Sequence, residues 1–198
     1  MTRDRAQKLA RWLKSGFGPD LAQCVAGTPF TVDIACAIAC QESGLYLVDF
    51  IGRMSDRDAL GRCVFDASGD ADGTSRGAFP KNTAAFVARL GQPFADQLIA
   101  QANLARQVRG LGPKPWVYKG YGLFQYDLQN VLADPAFFQQ ALWYDFGECA
   151  RRLVATLMSK YKATGTVDDS IRAYNGSGPQ ALQYLANVRQ FVEFCTQA

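Results

Sequence analysis

The chain contains no histidine. That absence excludes a Ser-His-Asp triad, a Cys-His dyad and any histidine-ligated metal. Acid–base chemistry near pH 7 must then rest on carboxylates, Tyr, Cys or Lys. No C-x-x-C pair occurs among the six cysteines, Cys24, Cys36, Cys40, Cys63, Cys149 and Cys195. A structural zinc site is therefore not expected, and neither a metal nor a cofactor is implied. No apolar run approaches the roughly 20 residues that cross a bilayer. Charge of one sign is also scarce. A formal net charge of +3 and a pI near 8.5 suit an anionic polymer but are too weak and scattered to argue for nucleic acid. The opening residues MTRDRAQKLARWLK are charged and amphipathic, without the apolar centre of a signal peptide. Action at the cell envelope or outside the cell would then require leaderless export, release by lysis, or a leader already removed.

What is present fits one sizeable globular domain of 198 residues, with 48% apolar and 20% charged residues. Its organising stretch is Thr31 to Gly44, TVDIACAIACQESG. Ile34 to Cys40 are all small or apolar, the pattern of a helix buried on every side. Thr31 is placed to cap its start, and Gly44 to follow its end. Glu42 falls in the last turn, where the helix dipole disfavours a carboxylate. That field and partial burial both raise a carboxyl pKa, which is what a general acid requires.

Helical spacing marks residues 3–15, with GFGP closing that helix and a short second one over Asp20 to Val25. LYLVDFIGRM is expected as a strand or extended segment. DASGDADGTSRG is expected as a polar loop. The alternation of Asp66, Ser68, Asp70 and Asp72 invites a calcium reading, but the EF-hand template fails in both registers, at Ala71 and at Phe79. Helices follow over TAAFVARL after Asn82, and over Pro93 to Arg109. GLGPKPWVYKGYG is expected as a loop, and LFQYDLQNVL as a short helix. Helices are also expected over PAFFQQALWYDF, over GECARRLVATLMSKYKATG, over Asp168 to Tyr174, and over Gln180 to Cys195 with Leu182, Leu185, Val188 and Val192 inward. The fold class is mainly α. Cys36 and Cys40 lie one turn apart, so a disulfide from either would reach another segment, that of Cys24 or Cys63, in an oxidising compartment. Buried free thiols are the alternative.

Three short blocks belong together: Gln41-Glu42-Ser43-Gly44, Gly120-Tyr121-Gly122-Leu123-Phe124-Gln125-Tyr126-Asp127, and Ala173-Tyr174-Asn175-Gly176. In this order they resemble the signature motifs of the lytic transglycosylase and goose-type lysozyme superfamily, whose usual forms are Glu-Ser, Gly-Leu-Met-Gln and Ala-Tyr-Asn. The resemblance covers about half the chain, the Glu42 helix and the part after residue 112. It implies a lysozyme-like, two-lobed helical domain over 1–198 that cleaves β-1,4 linkages in an N-acetylglucosamine-containing polymer. Peptidoglycan is the first choice of substrate and chitin the alternative. Glu42 would be the catalytic acid. Gln125 would line the cleft, Tyr174 would position Glu42, and Asn175 would hold the turn or touch substrate. Gly122 would let the backbone approach the sugar, with Ser43 and Tyr126 beside these residues.

The departures carry information. Phe124 stands where Met is usual, and 45–112 reads as a large insertion that walls the cleft. Goose-type enzymes carry an Asp after the Gln block, matched by Asp127, which would be the catalytic carboxylate across the site in an inverting route, and a second Asp before it, which is absent here. Asp70 or Asp72 from the inserted loop could supply that second carboxylate or bind sugar hydroxyls. Otherwise a single Glu acts as acid and then base, as in a transglycosylase. The aromatics near the Gly/Pro loop are individually core residues, with two or three free to stack on sugars. The competing class is a non-catalytic wall-binding module on the same scaffold. A monomer with a polysaccharide substrate, without nucleic acid or a membrane span, completes the expectation.

Overall fold

The computed structural model describes residues 1–67 and 69–198, and the chain divides into two compact units. The first joins residues 1–51 to residues 146–198. It holds α1 (Arg3–Val25), α2 (Val32–Glu42), α3 (Gly44–Phe50), α8 (Phe146–Thr164), α9 (Val167–Tyr174) and α10 (Pro179–Thr196). α2 lies at its centre, packed by α10, α1 and α3. Ala35 to Cys40 are all buried, as a helix with no polar face must be. Thr31 caps α2 by accepting a hydrogen bond from the Ile34 N–H at 3.2 Å. α1 lines the core with Ala6, Leu9, Ala10 and Leu13. It kinks at Phe17, two residues before Pro19, so the two helices expected there are continuous but bent.

The second unit is the unbroken stretch Gly52–Asp145. It contains α4 (Asp56–Gly61), β1 (Val64–Ala67), α5 (Thr83–Leu90), α6 (Gln92–Gln107), β2 (Tyr118–Tyr121), β3 (Tyr126–Asp127) and α7 (Pro135–Gln139). Single turns of 3-10 helix cover Leu128–Leu132 and Leu142–Tyr144. The strands form an antiparallel sheet in the order β1-β2-β3, with Val64 opposite Tyr121 and Gly120 opposite Asp127. Around Tyr121 a cluster of rings fills the core. Phe138 and Trp143 sit 5.4 and 4.9 Å from Tyr121, both edge-on, with Phe137 beside them. The segment 52–112 and the block at 120–127 therefore fold as one body.

The mainly α-helical class agrees with the sequence reading, and several elements differ from it. LYLVDF is helix α3, not a strand. Ser43 and Gly44 turn the chain from one helix directly into the next. A side chain at Gly44 would meet Met1 Cε at 3.0 Å and Leu9 Cδ2 at 3.2 Å, so a larger residue there would have to displace those side chains. The Gly/Pro loop ends in β2, and LFQYDLQNVL is a turn, a short strand and a 3-10 turn in place of a helix. The helix expected over PAFFQQALWYDF breaks at Ala141, which takes a left-handed conformation. In α10 the inward stripe is Ala181, Tyr184, Val188, Phe191 and Cys195, and Leu182 is 55% exposed. No disulfide joins the six cysteines, five of which are buried, the alternative that the sequence leaves open.

Candidate functional site

Glu42 ends α2, and Ser43 follows it as the cap residue. Ser43 is buried, and its hydroxyl donates to the Ala39 carbonyl at 3.2 Å, completing the helix end. The Glu42 carboxyl is held by a residue that the sequence reading did not single out. Tyr184 Oη donates to Glu42 Oε1 at 2.6 Å. Burial pushes the carboxyl up to about 7, and the phenol's hydrogen bond, which favours the charged form, only partly opposes it. Tyr184 is itself driven well above its ordinary range, first by burial and then by the neighbouring Glu42, so it remains a donor. Other carboxylates of this unit face cations: Asp33 faces Lys14, Asp49 faces Arg5, Glu148 faces Arg152 and Asp169 faces Arg172. Glu42 faces a neutral phenol, the setting in which a carboxylic acid keeps its proton near neutrality.

The third sequence block lies in the same unit. Tyr174 is the last residue of α9 and Asn175 its exposed cap, with the Asn175 N–H bonded to the Arg172 carbonyl at 3.2 Å. The Tyr174 ring stands 6.3 Å from that of Tyr184. Tyr184 is thus a tyrosine bonded to the carboxyl, and the Tyr174 ring lies beside it. The turn from α9 to α10 opens a pocket of about 550 Å³, lined by Arg172, Ala173, Gly176, Ser177, Gly178, Pro179 and Leu182. Glu42, Ser43, Tyr174 and Asn175 are therefore gathered in the first unit, with Glu42 and Tyr174 beside Tyr184.

Gln125, Gly122, Tyr126, Asp127, Asp70 and Asp72 all belong to the second unit. Gly122 and Gln125 both take positive φ, 77° and 52°, in the turn between β2 and β3. The strain at Gln125 is offset by its amide, which donates to the carbonyls of Gly122 at 2.9 Å and Cys63 at 3.1 Å. The Gly122 N–H reaches the same Cys63 carbonyl at 2.7 Å. A Cβ at Gly120 would stand 2.2 Å from Gln125 Oε1, which explains the glycine on β2. Tyr126 packs edge-on to Phe137 at 5.1 Å and stacks on Phe138 at 5.9 Å, as part of the ring cluster.

The candidate second carboxylates are largely occupied. Asp127 accepts both terminal nitrogens of Arg76, one at 3.1 Å, and caps the following turn through the Gln129 N–H at 2.6 Å. Arg76 is nearly buried and also donates to the Phe79 carbonyl. Asp70 accepts from the Thr83 N–H at 2.9 Å and from its hydroxyl at 2.9 Å, at the start of α5. Asp72 is exposed. Ser68, a further member of the calcium reading, lies outside the described residues. Among the described residues no three Cys, Asp or Glu side chains converge as a metal site.

Tyr184 carried a usable signal in the sequence, since it falls three residues after Ala181 and four before Val188 on one stripe. Arg76 carried none, because its partner is 51 residues away. Comparison with family models, with curated proteins and with solved structures gives no match.

Proposed function

We propose that the protein is a lysozyme-like glycosidase that cleaves β-1,4 linkages in an N-acetylglucosamine-containing polymer, peptidoglycan first, with Glu42 as its acid. The observation that carries this reading is the Glu42 carboxyl, ending a buried helix, hydrogen-bonded by Tyr184 and raised to about 7. A glycosidic oxygen leaves only when protonated, and a carboxyl protonated at neutral pH can supply that proton. The resemblance of the three sequence blocks supports the substrate class and a two-lobed lysozyme-like architecture. In this reading Gln125 and Gly122 belong to the sugar-binding motif.

The state of Asp127 favours a single-carboxylate route. A base that must activate water has to be free to accept a proton, and Asp127 is tied to Arg76 and to the Gln129 N–H. In the single-carboxylate route Glu42 protonates the leaving oxygen and becomes a carboxylate. The sugar's own C6 hydroxyl then closes on the anomeric carbon and returns its proton to Glu42. The product is a 1,6-anhydro sugar, and Glu42 is restored. Incubation with purified peptidoglycan, and separately with chitin oligomers, followed by mass analysis of the products tests the reading. Anhydro ends are expected from peptidoglycan. Reducing ends would select hydrolysis, and no products would select a wall-binding module.

A further inference from the structure

We propose, resting on the glycosidase reading, that the pocket at the turn between α9 and α10 binds the acidic peptide stem of peptidoglycan, and that Arg172 selects this stem over neutral chitin. The pocket holds about 550 Å³ and is walled by the end of α9 and the start of α10. That volume lies within the roughly 300–1,000 Å³ of small-molecule sites. The same two helices carry Tyr174 and Tyr184, and Tyr184 holds the Glu42 carboxyl. Ala173 in the pocket wall precedes Tyr174, and Leu182 lies two residues before Tyr184. Glu42 itself does not line the pocket, so the pocket takes a part of the substrate away from the bond that breaks.

The lining sets the chemistry of the ligand. Among the described residues that line the pocket, Arg172 carries the charge, Ser177 adds a hydroxyl, and Ala173 and Leu182 give an apolar wall. Leu182 is 55% exposed, so its side chain is open to a ligand. Gly176 and Gly178 hold φ of 110° and 84°, and a side chain at either would meet nothing within 4 Å. These glycines answer the backbone's left-handed turns and leave the space beside them open. A cation, a hydroxyl and small apolar walls suit a short peptide with a carboxylate better than an uncharged sugar. The guanidinium fork takes a carboxylate through two parallel hydrogen bonds. Peptidoglycan and chitin share their β-1,4 sugar backbone. Alternate sugars of peptidoglycan add a lactyl ether that continues as a peptide with free carboxylates, and chitin carries no charge. The charged wall of the pocket therefore has a partner in peptidoglycan alone.

Asp169 competes for the same cation. One terminal nitrogen of Arg172 lies 3.1 Å from an Asp169 carboxylate oxygen, and the two side chains are 44% and 41% exposed. An ion pair this open to water is weak, so a substrate carboxylate can share or replace it. Asp169 also accepts from the Thr166 hydroxyl at 2.8 Å, and so keeps a partner when Arg172 turns to the ligand. The competition gives the proposal a sign. Loss of the Arg172 charge weakens binding of the stem, and loss of the Asp169 charge strengthens it. A merely structural ion pair would make both losses act in the same direction.

The test titrates the full chain with N-acetylmuramyl-L-alanyl-D-glutamate and, separately, with N-acetylglucosamine, following backbone amide shifts. Neither probe contains a glycosidic bond to cleave, so binding is read apart from catalysis. The muramyl peptide is expected to bind more tightly than the plain sugar, to shift the Gly176, Ser177 and Leu182 amides, and to lose part of its advantage as salt is raised. Arg172→Gln should reduce that advantage about three- to tenfold, Arg172→Lys should restore part of it, and Asp169→Asn should increase it. Equal affinity for the two probes, an advantage that survives Arg172→Gln, or shifts confined to other segments would overturn the proposal, and the wild-type shifts decide it even if a variant does not fold. Sugar products from peptidoglycan without this advantage would remove the pocket and leave Glu42 as the acid. The advantage without any sugar product would keep the pocket and remove the catalytic reading.

Discussion

At the residue scale, Glu42 couples function to stability through one proton. Its carboxyl is raised from 4.5 to about 7 because burial penalises its charge. Between those values the folded protein holds a proton that the unfolded chain has released. Stability contributed by this group is thus fully present below pH 4.5, falls as pH rises toward 7 and is level above it. Glu42→Gln should remove that slope. At pH 8 it should stabilise the fold by up to about 3 kcal/mol, read by denaturant unfolding. The same substitution should cut turnover by about a hundred- to ten-thousand-fold, since an amide cannot donate the proton. Tyr184→Phe separates the two effects. It removes the bond that favours the ionised carboxyl, so the alkaline limb of the activity profile should move to higher pH. An unmoved limb, with the fold intact, would show that Tyr184 only fills space.

At the scale of elements, caps and close approaches decide which changes the chain tolerates. Asp70 secures the first turn of α5 by accepting from the Thr83 N–H and hydroxyl. Asp70→Ala should lower stability by about 1–2 kcal/mol, measurable as a drop in Tm, which an acid that only touched substrate would not cause. On α4, a methyl at Gly61 would stand 2.1 Å from the Tyr144 ring. Gly61→Ala should therefore cost about 1–3 kcal/mol as the ring is pushed from Arg62 and Gln101, its hydrogen-bond partners. The helices were legible in the sequence where a period and a cap coincided. Thr31 before α2 and Asn82 before α5 both cap as their sequences imply, the latter through the Ala85 N–H at 2.8 Å. The strands were not legible. β1 to β3 are two to four residues long, and β2 pairs with β1 across more than fifty residues, so no local pattern announces them. The α10 stripe was misjudged by favouring aliphatic residues. A tyrosine with a polar partner and a buried cysteine take the inward places that Leu182 was expected to hold.

At the scale of the whole molecule, the three sequence blocks divide between two compact units. The Glu42 and Tyr174 blocks fall in one, and the Gln125 block in the other. Glu42 was legible as a candidate acid because a carboxylate just after the run of small and apolar residues Ile34 to Cys40 is a local feature. Its partner Tyr184 and the Arg76 hold on Asp127 were not, because both are set by contacts between segments distant in sequence. Asp127→Asn tests the single-carboxylate route. It weakens the pairing with Arg76 and so should lower Tm, while leaving the pH dependence of bond cleavage as it was. Loss of cleavage at full stability would instead assign Asp127 a direct catalytic part. The most direct measurement sets wild-type protein and Glu42→Gln side by side on purified peptidoglycan, at equal folded concentration, with soluble products read by mass. Anhydro-ended sugars from wild type and none from Glu42→Gln are expected. Equal product from both proteins, or no sugar product from wild type, would contradict the assignment of Glu42 as the acid.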